Sequence, residues 1–114
     1  MQFLLLIYDS EQRWNKLSEA EQGADFEAYG AFGQEFEKQI QNGNALQPTQ
    51  TAKTVRVRNG KPLVTDGPFA ETKEQLGGYY LVEAKDVNEA ISIAAKIPWA
   101  RFGSIEVRPI MTFS

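Results

Sequence analysis

Six consecutive apolar residues, Phe3 to Tyr8, occupy both parities of a strand-length run, so both faces of that strand must be covered. It reads as a central strand. One helical layer covers only one face of a sheet, so the pattern predicts a second sheet against the other face. In so short a chain that sheet is expected from another copy. Asp9-Ser10 breaks the run, and Glu11 to Lys16 predicts a short helical turn that sets Trp14 near the strand's C-terminal end.

Ser18-Glu19-Ala20-Glu21 matches a capping box, in which the serine hydroxyl and the glutamate carboxylate each satisfy a free backbone N–H. Phe26, Tyr29, Gly33, Phe36 and Ile40 then recur at helical spacing as one buried stripe, with Asn42-Gly43 as the stop. Gly30 and Gly33 each cost about 1 kcal/mol against alanine inside a helix, so close backbone packing is the expected compensation. Ala45 to Gln47 reads as a short strand ended by Pro48. Thr54 to Arg58 alternates, Asn59-Gly60 is a type I′ turn pair, and Lys61 to Thr65 returns as the second arm of a hairpin. Val55 and Val57 are expected to face in, with Arg56 and Arg58 on the other side.

Gly78 to Ala84 is a second strand apolar on both faces. Asp86-Val87-Asn88-Glu89 is a second capping box, opening a helix with Val87, Ala90, Ile91, Ala94 and Ile97 as its apolar stripe and Pro98 as its end. Ile105 to Ile110 alternates, and Pro109 points to a sheet edge or a strand end. The order strand, helix, hairpin region, strand, helix, strand predicts an α+β fold. It is a ferredoxin-like antiparallel sheet with both helices on one face, in one domain spanning residues 1–114.

Composition narrows the chemistry. The chain has no histidine and no cysteine, which removes disulfides, thiolate metal sites, the commonest general base and the commonest transition-metal ligand. Acid–base work falls to Asp, Glu, Tyr or Lys, and nothing calls for a cofactor or metal; Asp9, Glu83 and Glu106 show no metal-ligand spacing. A net charge of −3 argues against direct nucleic-acid binding. No apolar run is long enough for a bilayer and no secretory signal opens the chain, so a cytoplasmic protein without membrane attachment is expected.

The densest chemistry runs from Asp66 through Gly67-Pro68-Phe69 to Gly77-Gly78-Tyr79-Tyr80. Pro68 lacks an N–H and pushes Gly67 away from helical backbone, so this is a shaped loop. Asp66 is the candidate acid–base residue, at a pocket mouth lined by Phe69 and Tyr80 with Lys73 as its electrostatic partner. Alternatively it only accepts loop N–H bonds, as turn aspartates do. Thr72 and Lys73, with Glu71, form a polar cluster suited to a carbonyl or carboxylate ligand, or Thr72 caps a helical turn reaching Leu76. Gly77-Gly78 predicts close backbone approach or a bulge. Tyr8 and Tyr80 are candidate ligand contacts. Tyr8, Trp14, Tyr79, Tyr80 and Trp99 serve equally as core or interface aromatics. Arg56, Arg58, Arg101 and Arg108 are either anion forks or surface charge.

The Asp66-Gly67-Pro68-Phe69 stretch through Gly78 resembles the signature of the YCII-related family in its DGPF-domain branch. The likeness extends to Leu5 to Tyr8, to Thr54 to Arg58 and to Gly103 to Pro109. The resemblance implies a dimeric α+β barrel in which two four-stranded sheets face each other. Other branches carry a His–Asp pair proposed as catalytic, which cannot carry over to a chain without histidine. Some members of the DGPF branch are associated with extracytoplasmic-function sigma factors. Two expectations follow: a homodimer binding a small organic ligand near the Asp66–Phe69 loop, with aspartate-based acid–base chemistry, or a non-catalytic regulatory or protein-interaction dimer, linked only indirectly to such factors because no helix-turn-helix is visible.

Overall fold

A computed structural model describes residues 1–113. Strand β1 (Gln2–Asp9) lies at the centre of an antiparallel sheet, between β5 (Gln75–Glu83) and β6 (Ser104–Pro109), and β2 (Ile40–Ala45) flanks β5. The sheet order β2-β5-β1-β6 is the ferredoxin-like order expected, with Pro109 on an edge strand. Helices α1 (Glu11–Lys16), α2 (Glu19–Glu35) and α3 (Val87–Ala94) complete the body. A separate hairpin, β3 (Lys53–Arg58) and β4 (Lys61–Asp66), is inserted between β2 and β5 and joins neither edge of the main sheet.

The odd residues of β1, Phe3, Leu5 and Ile7, are buried with Val82 of β5 against Phe32 of α2 and Ala90, Ile93 and Ala94 of α3. Each large apolar side chain so buried contributes about 1.5–3 kcal/mol. The even residues lie on the opposite face. Leu4 pairs with Leu81, Leu6 with Tyr79 and Tyr8 with Leu76, and all six are half-exposed.

The boundaries differ from the pattern reading where pairing with the sheet overrides local preference. The Ser18–Glu21 box is formed in both directions, but α2 ends at Glu35 with Phe36 as its C-cap. Ile40, expected in the helical stripe, pairs with Val82 as the first residue of β2, and Asn42-Gly43 continues that strand instead of stopping a helix. The expected strand at Ala45 to Gln47 is the tail of β2, extended by Leu46 N–H donating to Gly77 O at 2.9 Å. The polar sequence of β2 carries little strand propensity; the β5 ladder supplies it. Phe26 is 67% exposed, and Phe32 is the residue α2 buries. Nothing lies within 4 Å of a side chain added at Gly30 or Gly33, so close packing within the chain does not compensate them.

In α3 the buried residues are Ala90, Ile93 and Ala94, while Val87 and Ile91 of the expected stripe are exposed. The helix ends before Ile97, which is buried separately, so its inward face centres on Ile93. Asp86 caps Glu89 N, and Glu89 Oε1 returns to Lys85 N instead of Asp86 N, at 3.2 Å. The hairpin turn is as expected, with positive φ at Asn59 (53°) and Gly60 (74°). Its valines do alternate with its arginines, yet Val55 and Val57 are each 61% exposed, because no other element lies behind them.

Candidate functional site

Asp9 ends β1 pointing to the helical side of the sheet and is the one buried charged residue described, 3% exposed. Ser10 caps α1 by accepting from Arg13 N, and the single turn so fixed brings Arg13 back over Asp9. Asp9 Oδ2 accepts from Arg13 Nε at 2.7 Å, and Oδ1 accepts from Ser10 N at 2.7 Å. Arg13 Nη2 lies 2.6 Å from Asp9 Oδ2 as an ion pair but is not angled for a hydrogen bond. The same nitrogen is 3.7 Å from Asp25 Oδ2, which accepts from Trp99 Nε1 at 3.0 Å. The guanidinium carbon sits 4.2 Å from the centre of the Phe102 ring and 5.7 Å from that of Trp99. One polar chain, Asp9–Arg13–Asp25–Trp99, therefore ties together β1, α1, α2 and the turn Pro98–Arg101.

A cleft of about 720 Å³ opens beside this chain. Asp9, Asp25, Trp14, Tyr29, Tyr80 and Trp99 line it. Its aromatic wall is self-braced: Trp14 and Trp99 have ring centres 5.7 Å apart, and Tyr29 meets Trp99 edge-on at 6.0 Å. The segment after β2 forms another wall through Leu46 and Pro48 to Gln50. Glu11 holds that wall in place: Oε2 accepts from Thr49 N at 2.8 Å and Oε1 from Thr49 Oγ1 at 2.6 Å.

The paired glycines shape the floor. Register slips between Ile7 and Tyr8, which pair with Gly78 and Leu76, and leave Gly77 bulged. A β-carbon at Gly77 would stand 3.0 Å from the Trp99 ring and one at Gly78 3.0 Å from Asn44 O, so the expected bulge falls at Gly77 and the expected close backbone approach at Gly78. Burial pushes the Tyr29 phenol far above its ordinary range, Tyr80 adds to the rise, and the Trp99 backbone partly opposes it. Burial also raises Tyr80. Both phenols are protonated at neutral pH, so each carries an O–H that can donate to a ligand.

Of the residues singled out from sequence, Tyr80 lines the cleft. Tyr8 faces the other side of the sheet. Asp66 ends β4 with its side chain 84% exposed, and it pairs with Lys53 across the hairpin, not with Lys73. Phe69 is 81% exposed, so Phe69 and Tyr80 do not form a mouth that desolvates Asp66 within the chain. Thr72 caps no helical turn: its Oγ1 donates to Glu74 O at 2.5 Å, and β5 begins at Gln75. Lys73 is exposed and lies off the cleft. The polar cluster that lines or supports the cleft, Asp9, Arg13, Asp25 and Tyr29, lacks a contiguous signature. Its one legible trace is Asp9 and Arg13 one helical turn apart around Ser10.

The fold is similar to that of 5-chloro-2-hydroxyhydroquinone dehydrochlorinase from Burkholderia phenoliruptrix AC1100, solved in complex with 2,5-dihydroxybenzoquinone. The TM-score is 0.60 at 17% identity, covering 97% of this chain and 94% of that one. In sequence, 70 residues are 46% identical to an uncharacterised protein of Rhizobium meliloti (strain 1021), spanning 60% of this chain and 56% of that protein. The model of the YCII-related domain matches residues 1–114, and the chain belongs to that family.

Proposed function

We propose that the protein is a cytoplasmic homodimer that binds a compact, ring-shaped organic molecule in the cleft beside Asp9. The carrying observation is one cavity of about 720 Å³ that joins aromatic walls to two carboxylates and two protonated phenols. Flat aromatic surface favours a flat ligand, and the few converging polar groups fix its orientation. The quinone-bound structural neighbour supports a planar oxygenated ring as the ligand class. Tyr29 and Tyr80 donate to a carbonyl or hydroxyl, and Asp25 is the proton acceptor for histidine-free acid–base chemistry on the bound ring. The half-exposed even face of β1 and β5 supports the homodimer, since a second sheet would cover Leu4, Leu6 and Leu81. The Asp66–Phe69 loop is assigned to the root of the hairpin and not to the ligand.

Trp14 and Trp99 both line the cleft, so their fluorescence reports occupancy directly. Titrating 2,5-dihydroxybenzoquinone and simple hydroxylated benzenes should quench it and raise the melting temperature of the wild type. Tyr29→Phe should weaken binding about tenfold, as expected for one lost hydrogen bond in a buried site. Asp66→Asn should bind as the wild type does. Loss of binding in Asp66→Asn with full retention in Tyr29→Phe would return the site to the loop.

A further inference from the structure

Asp25 stands among four aromatic rings. On α2 Phe26 follows it directly and Tyr29 lies one helical turn on, so the helix itself sets the carboxylate beside both. Trp99 comes from the turn Pro98–Arg101 and donates Nε1–H to Asp25 Oδ2 at 3.0 Å. Trp14 closes the group from α1. Its ring centre is 5.5 Å from that of Phe26 and 5.7 Å from that of Trp99, and Tyr29 meets Trp99 at 6.0 Å. All five residues line the same cleft, with Phe26, 67% exposed, as the outer edge of the group. Aromatic rings gathered around a carboxylate are the surroundings that hold an ammonium group, by cation–π attraction and a charge-assisted hydrogen bond together.

Asp25 has an acceptor to spare. Its side chain is 17% exposed, Trp99 occupies Oδ2, and Oδ1 has no hydrogen-bond donor among the described residues. The other two carboxylates of the cleft are engaged, Asp9 by Arg13 and Ser10 and Glu11 by both donors of Thr49. The Arg13 guanidinium also faces Asp25, but its charge is committed to Asp9: Nη2 lies 2.6 Å from Asp9 Oδ2 and 3.7 Å from Asp25 Oδ2. Three carboxylates against one guanidinium leave a formal −2 at this end of the cleft. Among the described residues no lysine or arginine lines the cleft, and α2 carries five acidic residues and no basic one. A ligand carboxylate therefore meets no counter-charge there, while a cation is drawn in. The Trp99 ring already attracts one cation, the Arg13 guanidinium, whose carbon is 5.7 Å from the ring centre.

We propose that this corner of the cleft is an ammonium subsite, and that its ligand is an aromatic ring with a short tail ending in a protonated amine. Asp25 Oδ1 accepts from the ammonium N–H, and Trp14, Phe26, Tyr29 and Trp99 surround the charge. The Tyr29 and Tyr80 hydroxyls serve the oxygen atoms of the ring. Such a ligand uses Asp25 as its counter-ion and not as a proton acceptor. The inference rests on the cleft as the ligand site of the preceding reading and is independent of the acid–base chemistry assigned there.

Calorimetric titration with three phenols of similar size tests it. The tail of tyramine ends in an ammonium, that of para-propylphenol in a methyl group, and that of para-hydroxyphenylacetate in a carboxylate. Tyramine should bind about tenfold more tightly than para-propylphenol, and the carboxylate about tenfold more weakly, with the tyramine advantage shrinking as salt rises. Asp25→Asn keeps the shape and an acceptor for Trp99 but removes the charge, and should cut that advantage to about twofold or less. Phe26→Leu keeps an apolar edge without the ring and should cut it about threefold. Equal affinity of the wild type for tyramine and para-propylphenol would overturn the ammonium subsite and leave the cleft as a site for neutral rings. An advantage undiminished in Asp25→Asn would overturn the assignment to Asp25, and one undiminished in Phe26→Leu the role of the rings. If the wild type takes up the quinone but none of the phenols, the subsite falls and the cleft stands; if it takes up none of the four, both fall.

Discussion

β1 and the β3–β4 arm are both strand-length and both rich in branched apolar residues, yet they have opposite surroundings. In β1 the inward residues Phe3 and Leu5 are fully buried and the chain ends on an ion pair enclosed by aromatic rings. In the arm the inward-reading valines face solvent and the chain ends on an ion pair in water. Similar local chemistry therefore carries different weight: in β1 it holds the fold, and in the arm it meets solvent. Leu5→Ala should cost about 3 kcal/mol in urea unfolding, since a cavity remains between β1 and the helices. Val57→Ala should change the stability of the single chain by less than about 0.5 kcal/mol, as surface substitutions do. Equal losses at the two positions would mean that the arm packs on its own body.

The two ion pairs sharpen the contrast. Removing the carboxylate in Asp9→Ala leaves the half-buried Arg13 guanidinium with only Asp25, 3.7 Å away, a loss of about 2 kcal/mol after allowance for its partial exposure. Asp66→Asn removes a solvent-exposed partner of Lys53 and should cost about 0.5 kcal/mol or less. Chemical denaturation of the two variants side by side decides the ranking. A larger loss at Asp66 would show that its loop, not the Asp9 cluster, is the structural hub.

Between these extremes lies the bulge. A methyl group at Gly77 would meet the Trp99 ring at 3.0 Å and force it to give way, so Gly77→Ala should cost about 1 kcal/mol. Its clearer signature is optical: the Trp99 environment, and with it the emission spectrum, should shift. The same methyl group added at Gly30, where nothing is near, should leave the spectrum unchanged and stabilise the isolated chain slightly by helix propensity.

What the sequence made legible follows the same division. Elements set by local chemistry were readable in place: the central position of Phe3 to Tyr8, the Ser18–Glu21 box, the Asn59-Gly60 turn, the edge strand with Pro109, and hence the ferredoxin-like order. Elements set by a partner elsewhere in the chain were not. Strand β2 has no strand-like pattern and exists because β5 offers it a ladder, and Ile93 rather than Ile91 faces inward because the packing of α3 fixes its rotation. The Asp66–Phe69 loop is legible because its turn chemistry is contiguous. The cleft residues Asp9, Asp25, Tyr29 and Trp99, together with Arg13 that braces the two aspartates, come from four separate segments that only the fold brings together. A contiguous motif is easy to see in a sequence, whereas a site assembled from separate segments is not.

The smallest effect at neutral pH concerns the buried phenols and grows only in alkali. In an unfolded chain Tyr29 ionises near 10.0, whereas burial in the cleft wall keeps it protonated well beyond that. Above pH 10 the unfolded state sheds a proton that the folded state retains, so stability is level below that point and falls as pH rises further. Tyr80 contributes in the same direction. Tyr29→Phe removes the ionisable group while keeping the ring against Trp99. It should therefore cost less than about 1 kcal/mol at pH 7 and delay alkaline unfolding relative to the wild type. The arm holds no tyrosine, so Val57→Ala should leave the alkaline limb where it was. Urea unfolding of the three proteins from pH 7 to 11 separates these behaviours. A Tyr29→Phe chain that loses stability above pH 10 as steeply as the wild type would mean that this phenol is open to solvent and that the cleft wall is looser than its packing describes.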